Sequence, residues 1–188
     1  MPLNLPNLVT WLRIILIPLI VGIFYLPEVW LSEPGKNVAA TAIFVVAALS
    51  DWLDGYLARA LDQTSAFGAF LDPVADKLIV VAALVVLLQL GRVEPVIALI
   101  IIGREIAISA LREWMAKIGR SGSVAVAYVG KVKTASQMIA IPLLLFHDDV
   151  LGVLNAQWLG TILINAAAVL TVISMLHYLR RALPHARG

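Results

Sequence analysis

The chain reads DWLDGYLAR at residues 51–59 and, eight residues further on, GAFLDPVAD at residues 68–76. On helices, the members of the pairs Asp51/Asp54 and Asp72/Asp76 project about 60° and about 40° apart, so each pair shares one face. Only the short segment 60–70 joins the two pairs. These stretches therefore predict two neighbouring helices that point four carboxylates at one small volume.

The composition around these stretches is that of a membrane protein. Of the 188 residues, 61% are hydrophobic and only 14% are charged, whereas a soluble domain carries about 25% charged residues. There are no cysteines, which excludes disulfides, thiolate metal sites and a cysteine nucleophile. The net charge of +2 is too small to indicate nucleic-acid binding.

Six segments have the length and apolarity of membrane-spanning helices, which need about 20 mainly apolar residues. They are Leu8–Leu26, Val38–Arg59, Leu71–Leu90, Val96–Lys117, Ser123–Phe146 and Val153–Arg180. The connections are short and no internal repeat is evident. We predict an all-α integral membrane protein with six transmembrane helices in one bundle, forming a single domain over residues 1–188.

The basic residues predict the orientation of this bundle. Of the 14 Lys and Arg residues, only Lys36 and Arg92 fall in the first, third and fifth connections. The positive-inside rule then places both termini in the cytoplasm. Arg13 is interpreted as a cytoplasmic anchor.

Charged residues begin at a similar depth in several of these spans. Spans two, three and five each contain 13 uncharged residues, 38–50, 78–90 and 134–146, before a charge on the cytoplasmic side. Such runs cover roughly 20 Å of a hydrocarbon core about 30 Å thick. Ionisable groups at that depth are costly unless they pair or face water. A shared polar cavity open to the cytoplasm follows.

Four close carboxylates need compensating positive charge. Hard divalent cations with oxygen ligands supply it, and Mg²⁺ suits sites that phosphates complete. Asp51, Asp54, Asp72 and Asp76 are therefore candidate metal ligands, and a two-metal site would suit phosphoryl transfer.

Small residues beside the carboxylates leave room for a bulky ligand. These are Gly55, Ala58 and Gly68, and Arg59 offers charge to a phosphate. The alternative is close helix packing, which small residues at this spacing also favour in membranes.

The two quoted stretches resemble the signature of the CDP-alcohol phosphatidyltransferase family at every fixed position. The resemblance implies a six-helix, usually dimeric enzyme that depends on Mg²⁺ or Mn²⁺, with two ions per site. An alcohol hydroxyl would attack the β-phosphorus of CDP-diacylglycerol and expel CMP. By position, Asp76 would be the general base as well as a metal ligand, and the residues binding the CDP-lipid would be Asp54, Gly55, Ala58, Arg59 and Gly68.

Basic residues in spans four and five bear on the identity of the alcohol. Arg104 and Arg112 lie about 80° apart on a helix and can border one pocket, whereas Lys131 and Lys133 lie about 200° apart. Either the helix is irregular after Gly130 or only one lysine is a direct ligand. These cations predict an acceptor that carries a phosphate. The alternative is that Glu105 and Glu113 neutralise the arginines while the lysines reach the interface.

The segments 104–114 and 130–134, with the opening NLPNLVTWLR at residues 4–13, resemble the bacterial family members that use sn-glycerol 3-phosphate. This implies that acceptor, with Arg104, Arg112, Lys131 and Lys133 holding its phosphate, and a committed step of phosphatidylglycerol and cardiolipin synthesis. It also implies a multi-pass protein of the bacterial cytoplasmic (inner) membrane whose active site faces the cytoplasm. Transfer to inositol phosphate or phosphatidylglycerol is the alternative within the family. An ion-coupled transporter is the alternative outside it.

Overall fold

The computed structural model describes residues 5–61, 66–119, 128–150 and 154–182, although the side chains of 5–8, 51–69, 128–129, 150 and 181–182 lie outside that description. These ranges form six α-helices: α1 Leu5–Gly22, α2 Glu33–Leu61, α3 Ala66–Gln89, α4 Pro95–Lys117, α5 Tyr128–Phe146 and α6 Ala156–Ala182. Each helix overlaps one predicted segment. The all-α fold class is therefore confirmed.

Three short elements depart from the prediction. A 3₁₀ helix, Ile23–Tyr25, follows α1 directly. The α5–α6 connection contains the strands β1 Asp149–Val150 and β2 Leu154–Asn155, which pair antiparallel. Strands of two residues are too short to produce a recognisable sequence periodicity.

The helices pack around one apolar core to which α1 to α6 all contribute. Its fully buried residues include Ile20, Phe44, Leu87, Ile101 and Leu144. The most extensive contact joins α5 to α6. Gly160 permits that contact, since a Cβ at this position would lie 2.8 Å from Leu144 Cγ. Small residues allow such close helix approaches in membrane bundles.

Arg92 connects three elements at the end of the bundle opposite the predicted cytoplasmic side. Gly91, with φ +67°, ends α3 by bonding its N–H to Leu88 O, while Arg92 N–H bonds to Leu87 O. This is the Schellman arrangement that favours glycine. The Arg92 guanidinium then donates to Leu145 O at 2.9 Å and to Asn37 Oδ1 at 2.9 Å. Burial lowers the pKa of Arg92, and the nearby charges of acidic side chains oppose that shift.

Within the described residues, one helix is long and apolar enough by itself to meet the criteria for a membrane span, namely Ala156–Arg180. The shorter apolar helix Val9–Tyr25 falls below the length required. Six spans and cytoplasmic termini accordingly stay predictions.

Candidate active site

The side chain of Asp72 is held by the first helix. Thr10, on α1, is buried and donates its hydroxyl to Asp72 Oδ1 at 2.5 Å. The bond joins residues 62 positions apart in sequence and depends on the packing of α1 against α3. It fixes one carboxylate oxygen of the signature segment in place.

Asp76 lies one helical turn beyond Asp72 on α3 and lines a cavity of about 560 Å³. Helices α3, α4, α5 and α6 form the cavity walls. Among the described residues that line it, the charged ones are the carboxylates Asp76 and Glu105 and the cations Lys77, Arg104, Arg112 and Lys133. Four cations against two carboxylates leave the described lining positively charged. The predicted shared polar cavity is thus present, and it brings three of the four predicted basic residues close to the predicted base.

Glu105 bridges two of these cations. Lys133 Nζ donates to Glu105 Oε1, and Arg104 Nη1 donates to the same oxygen at 3.1 Å. The Lys133 side chain is only 2% exposed and that of Arg104 8%. Arg104 also donates to Ser174 Oγ on α6 at 3.3 Å. One carboxylate therefore offsets two buried cations.

Arg112 has a different partner. Its Nη2 donates to the hydroxyl of Tyr178, on α6, at 3.2 Å. The Tyr178 ring centroid lies 5.4 Å from Arg112 Cζ and 5.8 Å from Arg104 Cζ. Both distances are within the range of cation–π attraction. One aromatic ring thus contacts both predicted phosphate-binding arginines.

The two predicted lysines are separated by the structure. Lys133 is buried on the cavity wall, whereas Lys131 is exposed and lies outside the lining. Because α5 is already helical from Tyr128, the angle of about 200° between them holds. Of the two alternatives, the structure therefore has the one in which only one lysine faces the pocket, and that lysine is Lys133; Lys131, also a candidate phosphate ligand, lies outside the lining.

The alternative interpretation of these charges is correct in one part. Glu105 does partly neutralise Arg104, but Glu113 pairs with the exposed Lys117 at 2.9 Å rather than with Arg112. Lys133 does not reach the interface, since it is buried. Among the described side chains, Arg112 is therefore left with a neutral partner, and the described lining keeps its net positive charge.

The remaining predicted site residues lie outside the described side chains. Asp51, Asp54, Gly55, Ala58 and Arg59 are on α2, and Gly68 is in the first turn of α3. Among side chains that are described, no three Asp, Glu or His residues lie together as metal ligands. Two of the four predicted ligands are outside that set, so the metal site stays a prediction.

Sequence reasoning missed or misplaced several residues near the site. Arg13 is fully buried, so its side chain does not reach the membrane surface as a cytoplasmic anchor would. The sequence assigns no individual role to Tyr178 or Thr10, although Thr10 lies in the opening segment 4–13 that carries part of the resemblance. Gln137, one turn beyond Lys133, lines the cavity with an Oε1 that is buried and, among the described residues, without a hydrogen-bond partner.

Asp76, the last residue of the signature segment, and several basic residues line the cavity of this helical bundle. The chain belongs to the CDP-alcohol phosphatidyltransferase family. The family's sequence profile matches residues 3–173. Proteins named CDP-diacylglycerol–glycerol-3-phosphate 3-phosphatidyltransferase from Escherichia coli (strain K12) and Shigella flexneri serotype 5b (strain 8401) are each 48% identical over 184 residues. The alignments cover 97% of this chain and 96% of those proteins. The family expected from residues 51–76 is thereby confirmed.

Proposed function

We propose that this chain transfers the phosphatidyl group of CDP-diacylglycerol to sn-glycerol 3-phosphate, which gives phosphatidylglycerophosphate and CMP. The observation that carries the proposal is that Asp76, Arg104, Arg112 and Lys133 line the same cavity. Relatives that cover nearly the whole chain bear the name of this activity.

The charge of the cavity supports an acceptor that itself carries a phosphate. A phosphate monoester carries about −1.5 to −2 charges at pH 7. Four cations against two carboxylates in the described lining complement such an anion. Arg112 offers a guanidinium that no described carboxylate neutralises, and guanidinium groups bind phosphate through paired hydrogen bonds. A phosphatidylglycerol headgroup, which has no terminal phosphate, would leave these cations uncompensated.

Asp76 is proposed as the general base because it lines the acceptor cavity. The C1 hydroxyl of glycerol 3-phosphate would lose its proton to the Asp76 carboxylate. Its oxygen would form a bond to the β-phosphorus of CDP-diacylglycerol as the bond from that phosphorus to the CMP oxygen breaks. CMP leaves with the electron pair of the broken bond, so atoms and charges balance.

The residues present suit a hard divalent cation. Asp72 and Asp76 offer carboxylate oxygens one turn apart, and the Thr10 hydroxyl orients the first of them. Asp51 and Asp54 on α2 would complete a set of oxygen ligands. Bound Mg²⁺ or Mn²⁺, as one or two ions, would neutralise the diphosphate and the departing CMP. Asp54, Gly55, Ala58, Arg59 and Gly68 are proposed to contact the CDP-lipid.

The outer surface of the bundle supports a location within a bilayer. Large apolar side chains are exposed on every helix, for example Ile15, Leu49, Val85, Leu99, Ile139 and Val169. Trp30 and Trp158 are exposed toward one end of the bundle and Trp11 and Trp114 toward the other, as expected at two membrane interfaces. We propose six spans with both termini and the cavity mouth on the cytoplasmic side. Lipid chains would then remain in the bilayer while a soluble acceptor enters.

An acceptor panel tests the proposal. The purified protein is incubated with Mg²⁺, CDP-diacylglycerol and one acceptor at a time, and CMP release is measured. Glycerol 3-phosphate should support release, whereas inositol phosphate, phosphatidylglycerol and plain glycerol should not. CMP release with inositol phosphate but not with glycerol 3-phosphate would show that inositol phosphate is the acceptor. Metal flux into proteoliposomes without CMP chemistry would favour the transporter instead.

A further inference from the structure

Tyr178 is the aromatic residue among the described residues of the cavity wall. It lies near the C-terminal end of α6, is only 1% exposed, and packs with the buried residues Ile108 and Met115 of α4. Its side chain lines the same cavity as Asp76 and Lys133. A tyrosine buried only for packing has no need to direct its ring and hydroxyl at cations.

The contacts of Tyr178 are divided between two guanidinium groups. Its ring attracts Arg104 and Arg112, and its hydroxyl accepts a hydrogen bond from Arg112. Two guanidinium groups near one ring repel each other and, without such a contact, would separate. The aromatic face offsets part of this repulsion without adding a negative charge that would compete with a phosphate.

The two arginines differ in what else holds them. Arg104 donates to Glu105 and Ser174, so three groups fix its position. For Arg112, no described carboxylate lies within ion-pair distance, and its hydrogen bond to Tyr178 is to a neutral oxygen. The orientation of Arg112 therefore depends on Tyr178 more than that of Arg104 does.

We propose that Tyr178 is a positioning residue of the acceptor-phosphate site, which holds Arg112 beside Arg104 so that both guanidinium groups meet one phosphate. The inference rests on the proposed acceptor. Tyr178 itself need not touch the substrate. Its hydroxyl sets the direction of Arg112, and its ring keeps the two cations close while leaving their charge available.

The test compares Tyr178→Phe, which keeps the ring and removes the hydroxyl, with Tyr178→Leu, which removes both. The control is Tyr25→Phe, whose hydroxyl is exposed outside the cavity. We expect the KM for glycerol 3-phosphate to rise by about 3- to 10-fold in Tyr178→Phe, as the loss of one hydrogen bond predicts. Tyr178→Leu should raise it by about 10- to 100-fold. The KM for CDP-diacylglycerol and the kcat should stay within about twofold of the wild-type values, because both substitutions weaken only the binding of the acceptor phosphate.

A second readout uses inorganic phosphate as a competitor of glycerol 3-phosphate. Its inhibition constant should rise in the same order, Tyr25→Phe, Tyr178→Phe, Tyr178→Leu. If Tyr178 had a purely structural role, its substitution would instead lower kcat or raise the KM values for both substrates together. Either result would overturn the proposal. Unchanged kinetics in both Tyr178 variants would also overturn it. Failure of the wild type to release CMP with glycerol 3-phosphate would reject the proposed function itself, which is a separate outcome.

Discussion

Glu105 and Lys133 form an ion pair across the cavity wall, between α4 and α5, although they are 28 positions apart in sequence. Arg104 donates to the same carboxylate oxygen, so Glu105 offsets two cations that are almost completely buried. The arrangement makes one carboxylate responsible for the positions of two predicted phosphate-binding groups.

Replacing Glu105 should therefore destabilise the protein. Glu105→Gln leaves Lys133 and Arg104 without their carboxylate. Removing one partner of a fully buried pair costs about 3–5 kcal/mol. Because Glu105 is itself 22% exposed, we expect a smaller loss of about 1–3 kcal/mol. The melting temperature in detergent should fall by roughly 2–12 °C.

Glu113→Gln is the matched control. Glu113 pairs with Lys117 through side chains that are 68% and 72% exposed, and exposed pairs contribute little to stability. The melting temperature of this variant should stay close to that of the wild type. Equal losses in the two variants would show that the Glu105 ion pairs do not hold the cavity together.

The two lysines of α5 allow a comparison on a single helix. Lys133→Met removes a buried cation of the cavity, whereas Lys131→Met removes an exposed one outside it. Loss of a charged hydrogen bond to the acceptor phosphate should lower kcat/KM for glycerol 3-phosphate by about 10- to 100-fold in Lys133→Met. Lys131→Met should remain within about threefold, as surface substitutions usually do. Steady-state kinetics with varied glycerol 3-phosphate decide the matter, and a larger loss in Lys131→Met would contradict the assignment.

Asp76→Asn should remove turnover while CDP-diacylglycerol still binds. General bases contribute about 10²- to 10⁴-fold to rates, and an amide cannot accept the acceptor's proton. CMP release and equilibrium binding of CDP-diacylglycerol measure the two properties separately. Asp149→Asn, in the exposed outer connection, is the control and should behave as the wild type. Normal turnover in Asp76→Asn would disprove the base assignment.

Much of the fold could be predicted from the sequence, because a long apolar run indicates a helix without any information about contacts between distant residues. The angular separation of Lys131 and Lys133 likewise depends only on helix geometry, and it left two alternatives, of which the structure has the one in which only Lys133 faces the cavity. The signature residues 51–76 were sufficient for the family because their types and spacings match it position by position.

Residues that act through tertiary contacts could not be predicted in this way. Tyr178 lies in an apolar helix, where a tyrosine usually means packing, and its contact with Arg112 spans 66 positions. The Thr10–Asp72 bond spans 62 positions. Arg13 follows an N-terminal segment with no apparent burial signal, yet its side chain is fully enclosed. Each of these depends on which helices pack together.

The proposed orientation can be tested because the chain has no cysteines, which gives a background free of thiols. Asp149→Cys places a thiol in the α5–α6 connection and Lys117→Cys places one at the end of α4. A membrane-impermeant maleimide should label the first in intact cells and the second only after the membrane is opened. The cysteine-free wild type reports nonspecific labelling. Labelling of Lys117→Cys in intact cells would reverse the proposed orientation.

Transfer of radiolabelled glycerol 3-phosphate into lipid tests the central claim most directly. Purified protein receives Mg²⁺, CDP-diacylglycerol and glycerol 3-phosphate labelled at its phosphorus, and the chloroform-soluble product is analysed. The proposed reaction predicts labelled phosphatidylglycerophosphate in amounts equal to the CMP released, since the acceptor keeps its own phosphate. CMP release without label in the lipid, or label recovered as free phosphate, would contradict it.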